Sequence, residues 1–241
     1  MIQGRFEQAE WLMAEIDHRR DQWAAARHPF YRSWAAGALT AVDLQTYAAE
    51  HHHVVLTLAA VARRAAALAE GMLGAELSRQ ARDRDGEVDV WCRFALATGW
   101  DAMQTWWFAA DPLPETEAAA AAWLGDDERS LTTHLVTIYA LETGQGDVAR
   151  PALDGLLGHY GLAGTDAARY FELRLRGNAG PAGLIEAALT GLLPLADPLA
   201  LLRHAEHVYR GYWDLLDGIS RAARDAATTR RPERSALDSL R

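Results

Sequence analysis

The stretch HYGLAGTDAARYFELRLRGNAGPAGLIEAAL, residues 159–189, begins as an ordinary amphipathic helix and then stops being one. Thr165 can cap, Asp166 suits a first turn, and Tyr170, Phe171 and Leu173 supply apolar surface. Gly177, Asn178, Ala179, Gly180 and Pro181 follow, and a second helical pattern starts at once. An interior Gly costs a helix about 1 kcal/mol relative to Ala, and an interior Pro about 3. A chain otherwise rich in Ala and Leu is therefore expected to place two helices here, meeting at a break.

Working outward, the same helical grammar covers the rest. The periodicity predicts helices at about 5–26, 41–70, 72–99, 100–109, 115–124, 127–143, 147–159, 166–176, 181–193 and 198–226. Thr40 with Asp43 three residues on resembles a capping box, and Asp197 puts Pro198 at a first helical position. The segments DPLPET and TGQGD read as turns. β-Branched residues are too sparse for sheets, no repeat appears and no linker divides the chain. The expectation is one all-α helical bundle over 1–226. The polar, proline-bearing end, 227–241, is expected to be disordered.

Composition narrows the function. All 24 basic residues among the 241 are Arg, which excludes Schiff-base and P-loop lysine chemistry. A net charge of −9 argues against nucleic acid, whose phosphates need a basic face. The first twenty residues carry charges throughout, so no secretory signal is expected, and no apolar run approaches the roughly 18 residues of a membrane span. Cys92 is the single cysteine, so no disulfide can form within the chain and a cytoplasmic protein is expected. Beside Trp91 it reads as a small core residue, not a nucleophile.

Several residues invite a chemical reading. His51, His52 and His53 point about 100° apart on a helix, so a partly exposed polar strip is expected and not a three-histidine metal site. His204 and His207 share a face at i,i+3, a spacing that can chelate, but Glu206 points elsewhere. Glu142 extends the stripe of Leu135 and Ile138; it becomes a functional candidate only if partners meet it in the interior. No metal centre is predicted from these residues.

Three segments together resemble the heme-oxygenase-like superfamily, the helical fold of thiaminase II, pyrroloquinoline quinone synthase and the diiron oxidases. HPFYRSWAAGALTAVDLQTYAAEHHHVV (28–55) is similar to the family's opening. VDVWCRFALATGWD (88–101) is similar to the Leu-Trp, Arg-Phe and Gly segment of the diiron branch. YALETGQGDVARPALDGLLGHYGLAGTDAARYFELR (139–174) resembles its Glu-bearing helix and the approach to its metal helix. The likeness runs over about 10–220 and rests on order and spacing.

The resemblance implies iron ligands in the pattern Glu-x6-His, then Glu, then His-x3-Asp/Glu-x2-His. At those places this chain carries Gln80 and Glu87, then Glu142, then Arg174, Asn178 and Pro181. Only Glu142 matches plainly, and Arg is no metal ligand. The resemblance thus implies a small-molecule enzyme of specialised metabolism, oxidoreductase-derived, working in a central cavity without a diiron pair and without another cofactor. Glu142, Glu87, Tyr139 and His53 are its candidate acid–base residues. Arg174, Asn178, Gln80 and His207 are candidate substrate contacts, with Arg174 and the helix start at 181–184 clamping an anionic substrate. Two alternatives stand beside it: a non-catalytic subunit or ligand-binding protein partnering a metal-bearing relative, and an atypical mononuclear iron site using Glu142 with His53 or His207. A homodimer, or a heteromer with such a relative, is the expected assembly.

Overall fold

In the computed structural model, residues 2–99, 111–126, 129–177, 181–192 and 196–238 are described. They form α1 (Ile2–Gln22), a 3-10 turn (Ala25–Arg27), α2 (Pro29–Ala35), α3 (Ala41–Leu68), α4 (Gly71–Ala97), α5 (Pro114–Leu124), α6 (Leu131–Thr143), α7 (Gln145–Gly158), α8 (Ala167–Gly177), α9 (Pro181–Leu192) and α10 (Pro198–Asp238). No strand occurs among them. The predicted helix at 100–109 lies outside the described residues.

Local chemistry sets the ends. Thr40 and Asp43 form the predicted capping box, with Thr40 N–H donating to Asp43 at 2.8 Å. Asp197 accepts from Leu199 N at 3.0 Å, with Pro198 in the first turn. The break holds: α8 ends at Gly177 and α9 begins at Pro181.

Two helix bounds are corrected. The first helix stops at Gln22, because His28 caps a separate α2 by accepting from Phe30 N at 3.1 Å, with Pro29 at its first position. The predicted start at 127 moves to Leu131, where Ser130 accepts from Thr133 N. α10 runs on to Asp238.

α3 is the central helix. It lies along α4 and also packs on α5, α6 and α10, while α8 bridges α4 and α7. Three fully buried indoles pin neighbouring helices together through helix carbonyls. Trp34 of α2 donates to Ala152 O (3.0 Å), Trp91 of α4 to Ala48 O (2.8 Å), and Trp123 of α5 to Val208 O (3.3 Å). Gly155 lets α7 close on Trp34, because a Cβ there would stand 2.7 Å from the Trp34 ring and 2.9 Å from its carbonyl. Among the described residues no helix is long and apolar enough to cross a membrane.

Candidate functional site

Besides buried polar side chains scattered through the core, such as Glu50, His134 and Thr137, the described residues form two polar clusters, and the first is built on one face of α4. Gln80, Arg84, Glu87, Trp91 and Phe94 recur every three or four residues and so form one stripe. This stripe faces α3 and α8. Glu142 comes from the last turn of α6, and Arg174 from α8, four residues past Tyr170.

The four charged side chains close a ring. Arg84 reaches Glu87 at 2.6 Å and Glu142 at 2.5 Å; Arg174 reaches Glu87 at 3.2 Å and Glu142 at 3.1 Å. Each guanidinium therefore touches both carboxylates, and each carboxylate touches both guanidiniums. Arg174 and Glu142 are buried, at 3% and 8% exposure. Burial pushes both carboxylates above their ordinary range, and the Arg84 guanidinium pulls part of that shift back. Burial opposes the charge of Arg84, but Glu142 and Glu87 outweigh it and hold the guanidinium firmly protonated. Two positive and two negative charges leave the ring formally neutral.

A second polar cluster lies beside it. Tyr31 hydroxyl shares hydrogen bonds of 2.8 Å with both Tyr47 and Tyr212, and Tyr212 stands 3.5 Å from His51 Nδ1. Burial raises all three phenols, Tyr212 to about 12, so they stay protonated. Tyr212 also lines a cleft together with Arg20, Trp23, Val54, Leu141 and Tyr209. Tyr170 is buried near the ring, against Trp91, and its hydroxyl has no hydrogen-bond partner among the described residues.

Of the residues singled out from sequence, Glu142, Glu87 and Arg174 meet. Gln80 is buried two turns before Glu87 on α4, with its amide 3.4 Å from Glu76. Tyr139 faces elsewhere and donates to Asp17 at 3.1 Å. His53 is half-buried with its ring against His52, and His207 is exposed with Nδ1 2.9 Å from Arg203 O, so neither is seen to join Glu142. Asn178 lies outside the described residues. The polar-strip expectation for 51–53 is corrected: His51 and His52 are buried, at 2% and 6%, because α3 is packed on several sides at once. Arg84 and the three tyrosines were not found from sequence.

The ring also tests the implied iron pair. Carboxylate-bridged iron wants imidazole and carboxylate donors, and here two guanidiniums already occupy the two carboxylates. The residues present do not fit such a centre. Among the described residues no group of three or more His, Cys, Asp or Glu side chains is placed to hold a metal ion.

The buried histidines give the fold a pH dependence. Burial, then the His52 charge, pushes His51 down to about 3; burial, then Arg129, pushes His134 and His204 to about 4. The unfolded chain takes up these protons near pH 6.5 while the folded chain resists, so stability falls as pH falls through that window. Each such imidazole contributes up to about 1.4 kcal/mol per pH unit. The urea midpoint is expected to drop steadily between about pH 6.5 and 4, and less so in His204→Asn, which can keep a hydrogen bond to Thr137. A flat midpoint over that range would contradict neutral buried imidazoles.

The helical bundle has the heme-oxygenase-like fold of solved structures. A domain of unknown function from Shewanella denitrificans OS217, described as having that fold, superposes with a TM-score of 0.66 at 15% identity, over 89% of this chain and 91% of the other. A TenA homolog from Pseudomonas syringae pv. tomato DC3000 gives 0.75 at 16% identity, over 89% and 93%. The profile of the TENA/THI-4/PQQC family matches residues 16–143, and the chain belongs to that family. Among curated relatives, 4-aminobenzoate synthase of Chlamydia muridarum is 26% identical over 200 residues, 80% of this chain and 83% of its own. The protein of the same name from Nitrosomonas europaea is 27% identical over 212 residues, 80% and 84%.

Proposed function

We propose that this chain is a small-molecule biosynthetic enzyme that binds a small anionic aromatic compound in the Tyr212 cleft and moves protons on it. The observation that carries the reading is that Tyr212 both lines the cleft and begins the buried hydrogen-bonded chain to Tyr31 and Tyr47. Phenols held protonated by burial donate to charge developing on a substrate, and each can be reprotonated by the next.

The substrate class follows from the cleft and from the relatives. The cleft is walled mainly by apolar and aromatic side chains, Trp23, Val54, Leu141 and Tyr209 among them, which suits an aromatic ring. Arg20 is the cation at that wall, although Asp17 at 3.0 Å and Asp21 share it. Arg174 is no spare anion clamp, since Glu87 and Glu142 neutralise it. 4-Aminobenzoate, named in the relatives, is itself a small aromatic carboxylate. The closed charge ring favours a second reading, a non-catalytic ligand-binding member.

One experiment separates the two. 4-Aminobenzoate and benzoate are titrated against the tryptophan fluorescence of the wild type and of Tyr212→Phe. Both proteins are then incubated with a pool of small aromatic carboxylates and followed by mass spectrometry. Saturable binding, with one compound consumed by the wild type and spared by Tyr212→Phe, is the expected result. Binding without consumption supports the non-catalytic reading, and no binding at millimolar ligand overturns the cleft as a site.

A further inference from the structure

We propose that the ring of Arg84, Glu87, Arg174 and Glu142 is this chain's own substitute for a metal pair, and that the two guanidiniums alone keep a divalent cation off carboxylates otherwise placed to take one. The inference does not depend on which small molecule the cleft binds.

The geometry carries it. Two carboxylates delivered by different helices, Glu87 from α4 and Glu142 from α6, converge so closely that one guanidinium spans them, and two do so at once. Convergent carboxylates in an apolar interior repel each other and demand positive charge. A protein has two ways to supply it, a bound cation or a basic side chain, and this ring uses the second. Arginine suits the task because it stays charged when buried and its planar fork meets two acceptors.

The surroundings retain the makings of a cation site. Gln80 lies on the same face of α4, two turns before Glu87, and the buried Tyr170 hydroxyl near the ring has no hydrogen-bond partner among the described residues. Both are oxygen donors within the layer that holds the carboxylates. With the guanidiniums in place, a cation would have to displace both of them from each carboxylate, leaving two largely buried positive charges unpaired. With them removed, the same two carboxylates are left unneutralised.

Cobalt(II) is the probe, because its visible absorption reports inner-sphere binding without any activity assay. Wild type, Arg84→Ala/Arg174→Ala, and the same double variant carrying Glu87→Gln are titrated anaerobically, and their thermal midpoints are read with and without the ion. The double variant is expected to bind about tenfold or more tightly than wild type and to gain thermal stability on binding, and Glu87→Gln should abolish both effects. If the double variant is unfolded alone, cobalt-driven recovery of helical circular dichroism is the supporting outcome. Arg174→Ala, which keeps Arg84 on both carboxylates, is expected to bind cobalt no more tightly than wild type, although its thermal midpoint without the ion falls. Wild type binding cobalt as tightly as the double variant would overturn the proposal, as would a double variant that neither binds nor refolds with the ion.

Discussion

Arg174→Met is expected to cost the fold about 3–5 kcal/mol, the usual result of removing one partner from a buried ion pair and stranding the other. The guanidinium is 3% exposed and serves both Glu87 and Glu142, so its loss leaves a net negative charge on one buried and one largely buried carboxylate. Removing a carboxylate at the same time should repair much of the damage. Arg174→Met/Glu142→Leu leaves Arg84 facing Glu87, a balanced pair at 2.6 Å. Chemical denaturation of the two single variants and the double variant should therefore show strong non-additivity, with a coupling on the order of 2 kcal/mol. Additive losses would mean that the four side chains do not act as one unit.

Trp91→Ala is the second large effect, again at about 3–5 kcal/mol. The indole is fully buried and donates to Ala48 O. Its ring lies 4.6 Å from those of His51, Phe94 and Tyr170, so it joins the tyrosine cluster to the ring-bearing face of α4. Truncation opens a cavity between α3, α4 and α8 that large neighbours cannot collapse into without leaving their rotamers. Near-ultraviolet circular dichroism should weaken along with stability, while Trp91→Phe should cost clearly less. A loss under about 1 kcal/mol would show that Trp91 is not the keystone its burial indicates.

Much of this was legible in the sequence, and the reasons differ by element. The break after α8 was readable because glycine and proline act locally, before any packing is known. Thr40 and Asp197 announced helix starts for the same reason. The 3-10 turn and α2 were not readable, since a seven-residue helix shows too little periodicity and its cap is a histidine. Glu142 announced itself as a carboxylate on an apolar stripe, and Arg174 through its place after Tyr170 and Phe171.

Arg84 stayed hidden among Arg79, Arg82 and Arg84, where composition alone does not say which one points inward. Counting back from Phe94 and Trp91 by three and four would have found it, because that stripe passes through Glu87, Arg84 and Gln80. The tyrosine chain joins α2, α3 and α10, with up to 181 residues between partners. No local pattern encodes such a contact. His51 and His52 were misjudged as partly exposed because the period of one helix cannot reveal that α3 is wrapped on several sides.

The most direct measurement is the iron content of the wild-type protein after anaerobic loading with iron(II), desalting and elemental analysis, read together with Mössbauer spectroscopy. A ring of two guanidiniums on two carboxylates predicts only trace iron, no coupled iron spectrum, and a melting temperature that chelator leaves unchanged. An iron pair retained in each chain, with the spectrum of a carboxylate-bridged centre, would contradict it.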